Sequence, residues 1–178
     1  MIYYTADLHL GHANVIRHDG RPYDSLEEMD EALIENWNIR IRKNDEVFVV
    51  GDFCFRGDSK LYLKRLNGIK HLIIGNHDTA LLKDKQALAY FATVDQIRDI
   101  RDYGKHIVLC HYPIAEWNGY YHGSYLVYGH IHNNKNKAYE FMKNEERALN
   151  AGCMINQYTP VTFEELIINN TNFKKGQQ

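Results

Sequence analysis

The chain has no CxxC pair: its three cysteines, Cys54, Cys110 and Cys153, are widely spaced. This argues against a disulfide framework and against a thiolate zinc site, and fits buried free thiols in a reducing compartment. No apolar run approaches the ~20 residues that a membrane span needs. The opening MIYYTADLH has neither a basic n-region nor an apolar h-region, so a cytoplasmic location is expected. An excess of one charge is also missing. With 21 Lys and Arg against 23 Asp and Glu, the net charge of −2 gives no broad nucleic-acid or membrane footprint, and a polymer substrate would have to be gripped locally. Internal repeats and linkers are absent as well. The 178 residues, 44% hydrophobic and 25% charged, suit one globular domain, expected over 1–168 with a polar, fraying tail over 169–178.

What is present is a series of short apolar runs rich in β-branched and aromatic residues, at Ile2–Thr5, Val47–Val50, Leu72–Ile74, Ile107–Cys110 and Tyr125–Tyr128. They read as buried strands. Ser25-Leu-Glu-Glu28 is a capping-box pattern, and Leu26, Met29, Leu33, Trp37 and Ile41 follow at helical spacing. A second helix is expected from Asp58 or Ser59 through Leu66, a third over Asp84–Phe91, and a last short one over Thr162–Ile168. Alternating strands and helices predict an α/β sheet whose loops at the carboxyl ends gather into one crevice. Val94–Arg101, with period-2 alternation, and Arg147–Asn150 predict further strands and hence a second sheet.

The chemistry sits directly after the strand-like runs. Asp7 and His9 follow the first, and extended i, i+2 spacing would aim both at one cation. Asp52 follows the second, behind Gly51, and Asn76, His77 and Asp78 follow the third, behind Gly75. His111 follows the fourth run and His130 and His132 the fifth, again at i, i+2. Each motif alone is ordinary turn chemistry; filling five strand ends with Asp, His and Asn is not. Mixed nitrogen and oxygen donors without thiolate suit Mn²⁺, Fe²⁺, Co²⁺, Ni²⁺ or Zn²⁺. Seven ligands, Asp7, His9, Asp52, Asn76, His111, His130 and His132, are too many for one tetrahedral ion but suit two ions sharing a carboxylate.

In order, Asp7-Leu-His9, Gly51-Asp52, Gly75-Asn-His-Asp78, His111 and Gly129-His-Ile-His132 resemble the motifs of the calcineurin-like metallophosphoesterase superfamily. Leu149-Asn-Ala-Gly152, Tyr158-Thr-Pro160 and Phe163-Glu-Glu-Leu166 resemble the tail of its small bacterial and phage members. The resemblance implies a four-layer αββα sandwich of two mixed sheets flanked by helices, and a dinuclear phosphoesterase with Mn²⁺ as the favoured metal. It implies Asp7, His9 and His132 on one ion, Asn76, His111 and His130 on the other, and Asp52 between them. Phosphodiester or nucleotide phosphate bonds would be cleaved by in-line attack of a metal-bridging hydroxide, with His77 facing the leaving group and Asp78 orienting it.

One departure is informative: where protein phosphatases of the superfamily carry GDxxDRG, this chain has Gly51-Asp-Phe-Cys-Phe-Arg-Gly57, with Phe55 in place of the second acid. This disfavours a phosphoprotein substrate. His12, Asn14, Arg56, Tyr112, Trp117 and His122 are candidate substrate contacts, the aromatic segment Tyr112–Tyr125 being able to stack a nucleobase. Alternatives are a phosphomonoesterase of small molecules and a non-catalytic metal-binding scaffold; a metal-dependent amidohydrolase barrel would need a longer chain. Lys135 and Lys137 are expected in a solvated loop, and His18, His71 and His106 outside the site.

Overall fold

In the computed structural model, which describes residues 1–176, β1 (Ile2–Thr5), β2 (Glu46–Val50), β3 (Ile69–Ile73) and β4 (Phe91–Asp95) form one sheet in that order. All neighbours in it are parallel. β5 (Ile97–Asp102), β6 (Lys105–Cys110), β7 (Tyr125–Tyr128) and β8 (Ala148–Asn150) form the second, in which β5 runs antiparallel to β6 and the other pairs are parallel. The α/β sandwich is as expected, but only the second sheet is mixed. The helices are α1 (Ala13–Asp19), α2 (Leu26–Arg40), α3 (Ser59–Leu63), α4 (Lys85–Leu88), α5 (Lys137–Met142) and α6 (Phe163–Lys175).

Strand alternation sorts the core into three apolar layers. Tyr3, Val47, Val49 and Leu72 face outward onto Met29, Leu33 and Trp37 of α2, together with Leu63 of α3 and Ala87 of α4. Their neighbours Tyr4, Phe48, Val50 and Ile73 face inward and meet Ile107, Leu109, Val127 and Leu149 of the second sheet. The other face of that sheet, with Val108, Leu126, Tyr128 and Ala148, packs on Tyr139 and Met142 of α5 and Phe173 of α6. Burial on both faces is why β1, β2, β3, β6 and β7 read as continuous apolar runs rather than as alternating ones.

Several boundaries move for physical reasons. Ser25 caps α2 by accepting from the Glu28 N–H at 3.1 Å, but the Glu28 carboxylate turns back to the Asp24 N–H, so the reciprocal bond falls one residue early. The second expected helix stops at Leu63, and the third shrinks to α4 because Phe91 already opens β4. The alternating stretch Val94–Arg101 is divided between β4 and β5, which lie in different sheets. Alternation carries no mark of the crossing. Lys137, expected in a loop beside Lys135, instead opens α5, which Asn136 caps.

The largest difference is at the carboxyl end, where α6 runs on from Ile168 to Lys175, starting at a Thr162–Glu165 capping box and ending at Gly176. Its polar sequence conceals two anchors. The buried Asn170 amide accepts from the Asn150 N–H at 2.7 Å and donates to the carbonyls of Asn150 and Leu166, and Phe173 is 6% exposed against α5. Gln177 and Gln178 lie outside the described residues. Phe173→Ala is therefore expected to destabilise the fold by about 3 kcal/mol, as for other buried Phe truncations. Urea denaturation checks this; a change under about 0.5 kcal/mol would mean that the segment is peripheral.

Candidate metal centre

The seven candidate ligands follow β1, β2, β3, β6 and β7 directly, but the way they converge is not the expected one. β1 ends at Thr5 and β7 at Tyr128, so neither Asp7 and His9 nor His130 and His132 lie on extended strand. Asp7 (φ 57°), His9 (φ 53°), Asp52 (φ 55°), His130 (φ 71°) and His132 (φ 54°) are all left-handed. Such backbone costs a non-glycine residue about 1–3 kcal/mol and gathers where function requires it. Hydrogen bonds hold it in place: the Asp7 N–H donates to Gly51 O, the His9 N–H to Asp52 O, and the Asn150 amide to His132 O.

Asp7, His9, Asp52 and His132 form a cluster able to hold a metal ion, their ligand atoms all within 4.8 Å of one another. His132 Nδ1 lies 2.7 Å from an oxygen of Asp19, a carboxylate that can only accept, so the neutral ring carries its hydrogen there and turns a lone pair at Nε2 inward. That Nε2 is 3.1 Å from His9 Nε2 and 4.0 Å from Asp7 Oδ1. Acceptors thus face one another, an arrangement that a cation satisfies.

A second group repeats this logic. His111 Nδ1 donates to Val50 O at 2.9 Å, which leaves its Nε2 a lone pair 3.1 Å from Asn76 Oδ1. His130 Nδ1 is 2.9 Å from the same oxygen. Between the groups stands Asp52, 1% exposed. Its Oδ1 accepts from the His77 N–H at 2.8 Å, and its Oδ2 is 3.6 Å from His9 Nε2 and 3.5 Å from His111 Nε2. The donor set fits divalent transition ions in both groups.

Electrostatics point the same way. Burial, with His132 and Arg21 adding to it, pushes His9 down to about 2, so its ring stays neutral. Burial and His111 lower His130. Burial raises the Asp7 carboxyl against the pull of His132 and His111. For His132 burial also favours the neutral ring, but the Asp19 bond and the Asp7 charge outweigh it and raise the pKa. His9 and His130 are thus poor at binding protons and well suited to binding metal, whereas Asp7 and His132 hold protons more readily and would release them on binding an ion.

Two glycines make the close approach possible. Gly51 has φ +88°, and a Cβ there would come within 2.1 Å of His111 Nδ1. A Cβ at Gly75 would meet Asp52 Oδ1 at 2.3 Å. Each lets a backbone turn lie against a ligand side chain.

Around the cluster, the half-buried His77 ring stands edge-on to His9 at 5.3 Å and to Phe55 at 5.2 Å. His12 stacks on Phe55 at 3.8 Å, and the exposed Arg56 guanidinium lies 5.4 Å from that ring. Tyr112, 45% exposed, leans on His130 at 4.7 Å and on His111 at 5.1 Å. Two expectations, for Asp78 and Trp117, need correcting. Asp78 does not orient the His77 ring: its oxygens accept from the backbone N–H groups of Asp52, Phe53 and Gly75, so it fixes the two ligand-bearing turns, and burial pushes its pKa up to about 6. Trp117 is buried with Tyr139 and Met142 against the outer face of the second sheet, not in the crevice. His122 is exposed in the turn Tyr120–His122, and Asn14 is exposed in the first turn of α1. His71 bonds Thr93 and Glu46, and His106 bonds Asp99, both away from the cluster as expected.

Sequence reasoning passed over Asp19, Arg21 and Asn150. Asp19 and Arg21 form a buried ion pair behind the first group, and Asn150 holds the His132 backbone. In the sequence Asp19 and Arg21 show only as an acid and a base at i, i+2 across Gly20, a common helix-end pattern, and Asn150 only as part of Leu149-Asn-Ala-Gly152.

No family model matches the chain. An uncharacterized protein of Methanocaldococcus jannaschii is 29% identical over 170 residues, 93% of this chain and 89% of that protein. The gene 66 protein of Mycobacterium phage D29 is 29% identical over 158 residues, 74% of this chain and 78% of its own. Among solved structures, a protein of unknown function from Aquifex aeolicus superimposes with a TM-score of 0.73 at 27% identity, over 93% of this chain and 96% of that one. The same fold therefore recurs along nearly the whole length. A Pseudomonas putida nuclease and an archaeal phosphodiesterase, each 19% identical, overlap 74% and 72% of this chain (60% and 72% of their own) with TM-scores of only 0.48 and 0.42. Among the described residues no helix is long and apolar enough to cross a membrane.

Proposed function

We propose that this chain is a dinuclear-metal-dependent phosphoesterase of the calcineurin-like type that hydrolyses phosphodiester or nucleotide phosphate bonds. The observation that carries the reading is the position of Asp52 Oδ2, about equally far from His9 Nε2 and His111 Nε2, with a ligand group on either side. Asp7, His9 and His132 would hold one ion and Asn76, His111 and His130 the other, with Asp52 shared. When bound, two divalent ions lower the pKa of water and neutralise charge on the phosphoryl oxygens.

The remaining work falls to side chains at the mouth of the crevice. His77 would hold a ring N–H toward the leaving oxygen. Its neighbour is the apolar Phe55 ring rather than a second acid, which fits a diester or nucleotide better than a phosphoprotein. Arg56 offers two donors to a non-bridging oxygen, and the exposed Tyr112 ring offers a face to a base or sugar. Mn²⁺ is the favoured metal and the cytoplasm the favoured location.

A panel assay with Mn²⁺, Ni²⁺ or Zn²⁺ tests the proposal, comparing a generic phosphodiester, a phosphomonoester, 2′,3′- and 3′,5′-cyclic nucleotides, dinucleotides and single-stranded DNA. Turnover of a diester above the monoester, abolished by chelation, is expected. Preference for the monoester would overturn the diester assignment, and inactivity on every member with both ions bound would leave a metal-binding scaffold.

A further inference from the structure

Arg21 is 4% exposed as a residue, and its side chain and that of Asp19 are 0% and 2% exposed. All the guanidinium contacts on the ligand side are specific. Nη1 donates to Leu8 O and Nη2 to Asp7 O, both at 2.8 Å, so the fork grips the backbone between Asp7 and His9 where it is left-handed. Nε and Nη2 also donate to Asp19 Oδ2 at 3.1 and 3.0 Å, and the other Asp19 oxygen fixes His132 Nδ1 at 2.7 Å. Through Asp19, one planar group thus ties the first ligand motif to the last, 113 residues along the chain from Asp19. Lysine, a point charge, cannot hold two carbonyls and a carboxylate in one plane. A buried ion pair adds little stability by itself, so the geometry that it imposes is the better reason for its presence.

Among the described residues the other half of the centre has no such clamp. His111 is oriented by a backbone carbonyl, and Asn76 and His130 are exposed. We infer that Asp19 and Arg21 are positioning residues that set the affinity of the Asp7/His9/His132 half for its ion independently of the other half, an inference that rests on the two-ion reading. A carboxylate behind a ligand imidazole fixes its tautomer and raises its basicity, and loss of such a partner typically weakens metal binding 10–100-fold.

The test is calorimetric titration of the chelated full-length protein with Mn²⁺. In Asp19→Asn, which keeps shape but removes the charge, one equivalent is expected to bind roughly 10–100-fold more weakly while the other is unchanged. Arg21→Lys should give the same one-sided loss to a smaller degree, and it carries the test if Asp19→Asn does not fold. A role confined to folding would lower the denaturation midpoint of the chelated protein yet leave the ratio of the two affinities alone. Unchanged binding of both equivalents, or equal weakening of both in a folded variant, would overturn the inference and leave the two-ion reading standing. Wild-type protein that takes up no ion would instead remove that reading.

Discussion

Asp52→Asn is expected to fold, to retain neither ion, and to lose on the order of 10³-fold or more in turnover. The fold should survive because the change is isosteric and because the backbone of Asp52 stays anchored by Asp78. The ions should not, because one oxygen of Asp52 is already committed to the His77 N–H while the other faces both ligand groups. An amide there removes the shared negative charge from both positions at once. Charge stabilisation by bound ions supplies several kcal/mol to the transition state, and each 1.36 kcal/mol is about tenfold in rate, which sets the scale. Elemental analysis after gel filtration, with turnover measured alongside, checks this. The thermal stabilisation that Mn²⁺ gives the wild type should vanish as well. Retention of one ion at full occupancy would show that Asp52 serves a single position.

His77→Ala should behave in the opposite way, keeping both ions while losing roughly 10²–10⁴-fold in turnover with a poor leaving group, the range for loss of a general acid. Metal retention is expected because the link from His77 to Asp52 runs through the backbone N–H, which alanine preserves. The ring itself stands beside the cluster, edge-on to His9. With a leaving group that departs as a stable anion, such as a nitrophenolate, the loss should shrink, since no proton need be supplied. Loss of metal in this variant, or an equal rate loss with both kinds of leaving group, would contradict the role.

The ligand set was legible in the sequence because residue type at five strand ends is a chemical signal that needs no coordinates. Asp7, His9, His130 and His132 meet through left-handed turns beyond the strands, not through strand alternation, and positive φ at a non-glycine residue leaves no mark in sequence. Asp78 was found by its motif but misassigned, since a carboxylate that accepts three backbone N–H groups looks the same in sequence as one that orients a ring. Trp117 was drawn to the site by an aromatic-rich loop, whose composition cannot separate packing from an exposed platform.

The same limit explains the end of the chain. Asn-Asn-Thr-Asn reads as solvated, yet the Asn170 amide is buried because the Asn150 backbone offers it both a donor and an acceptor. Buried polar residues with complete partners are invisible to a hydrophobic pattern. Arg21 and Asp19 were passed over for that reason too.

The most direct test of the account is the Mn²⁺ stoichiometry of the chelated wild-type chain, measured by calorimetry and confirmed by elemental analysis after removal of free metal. Two groups of inward-facing acceptors on either side of Asp52 predict two equivalents bound. One equivalent, or none, would contradict it.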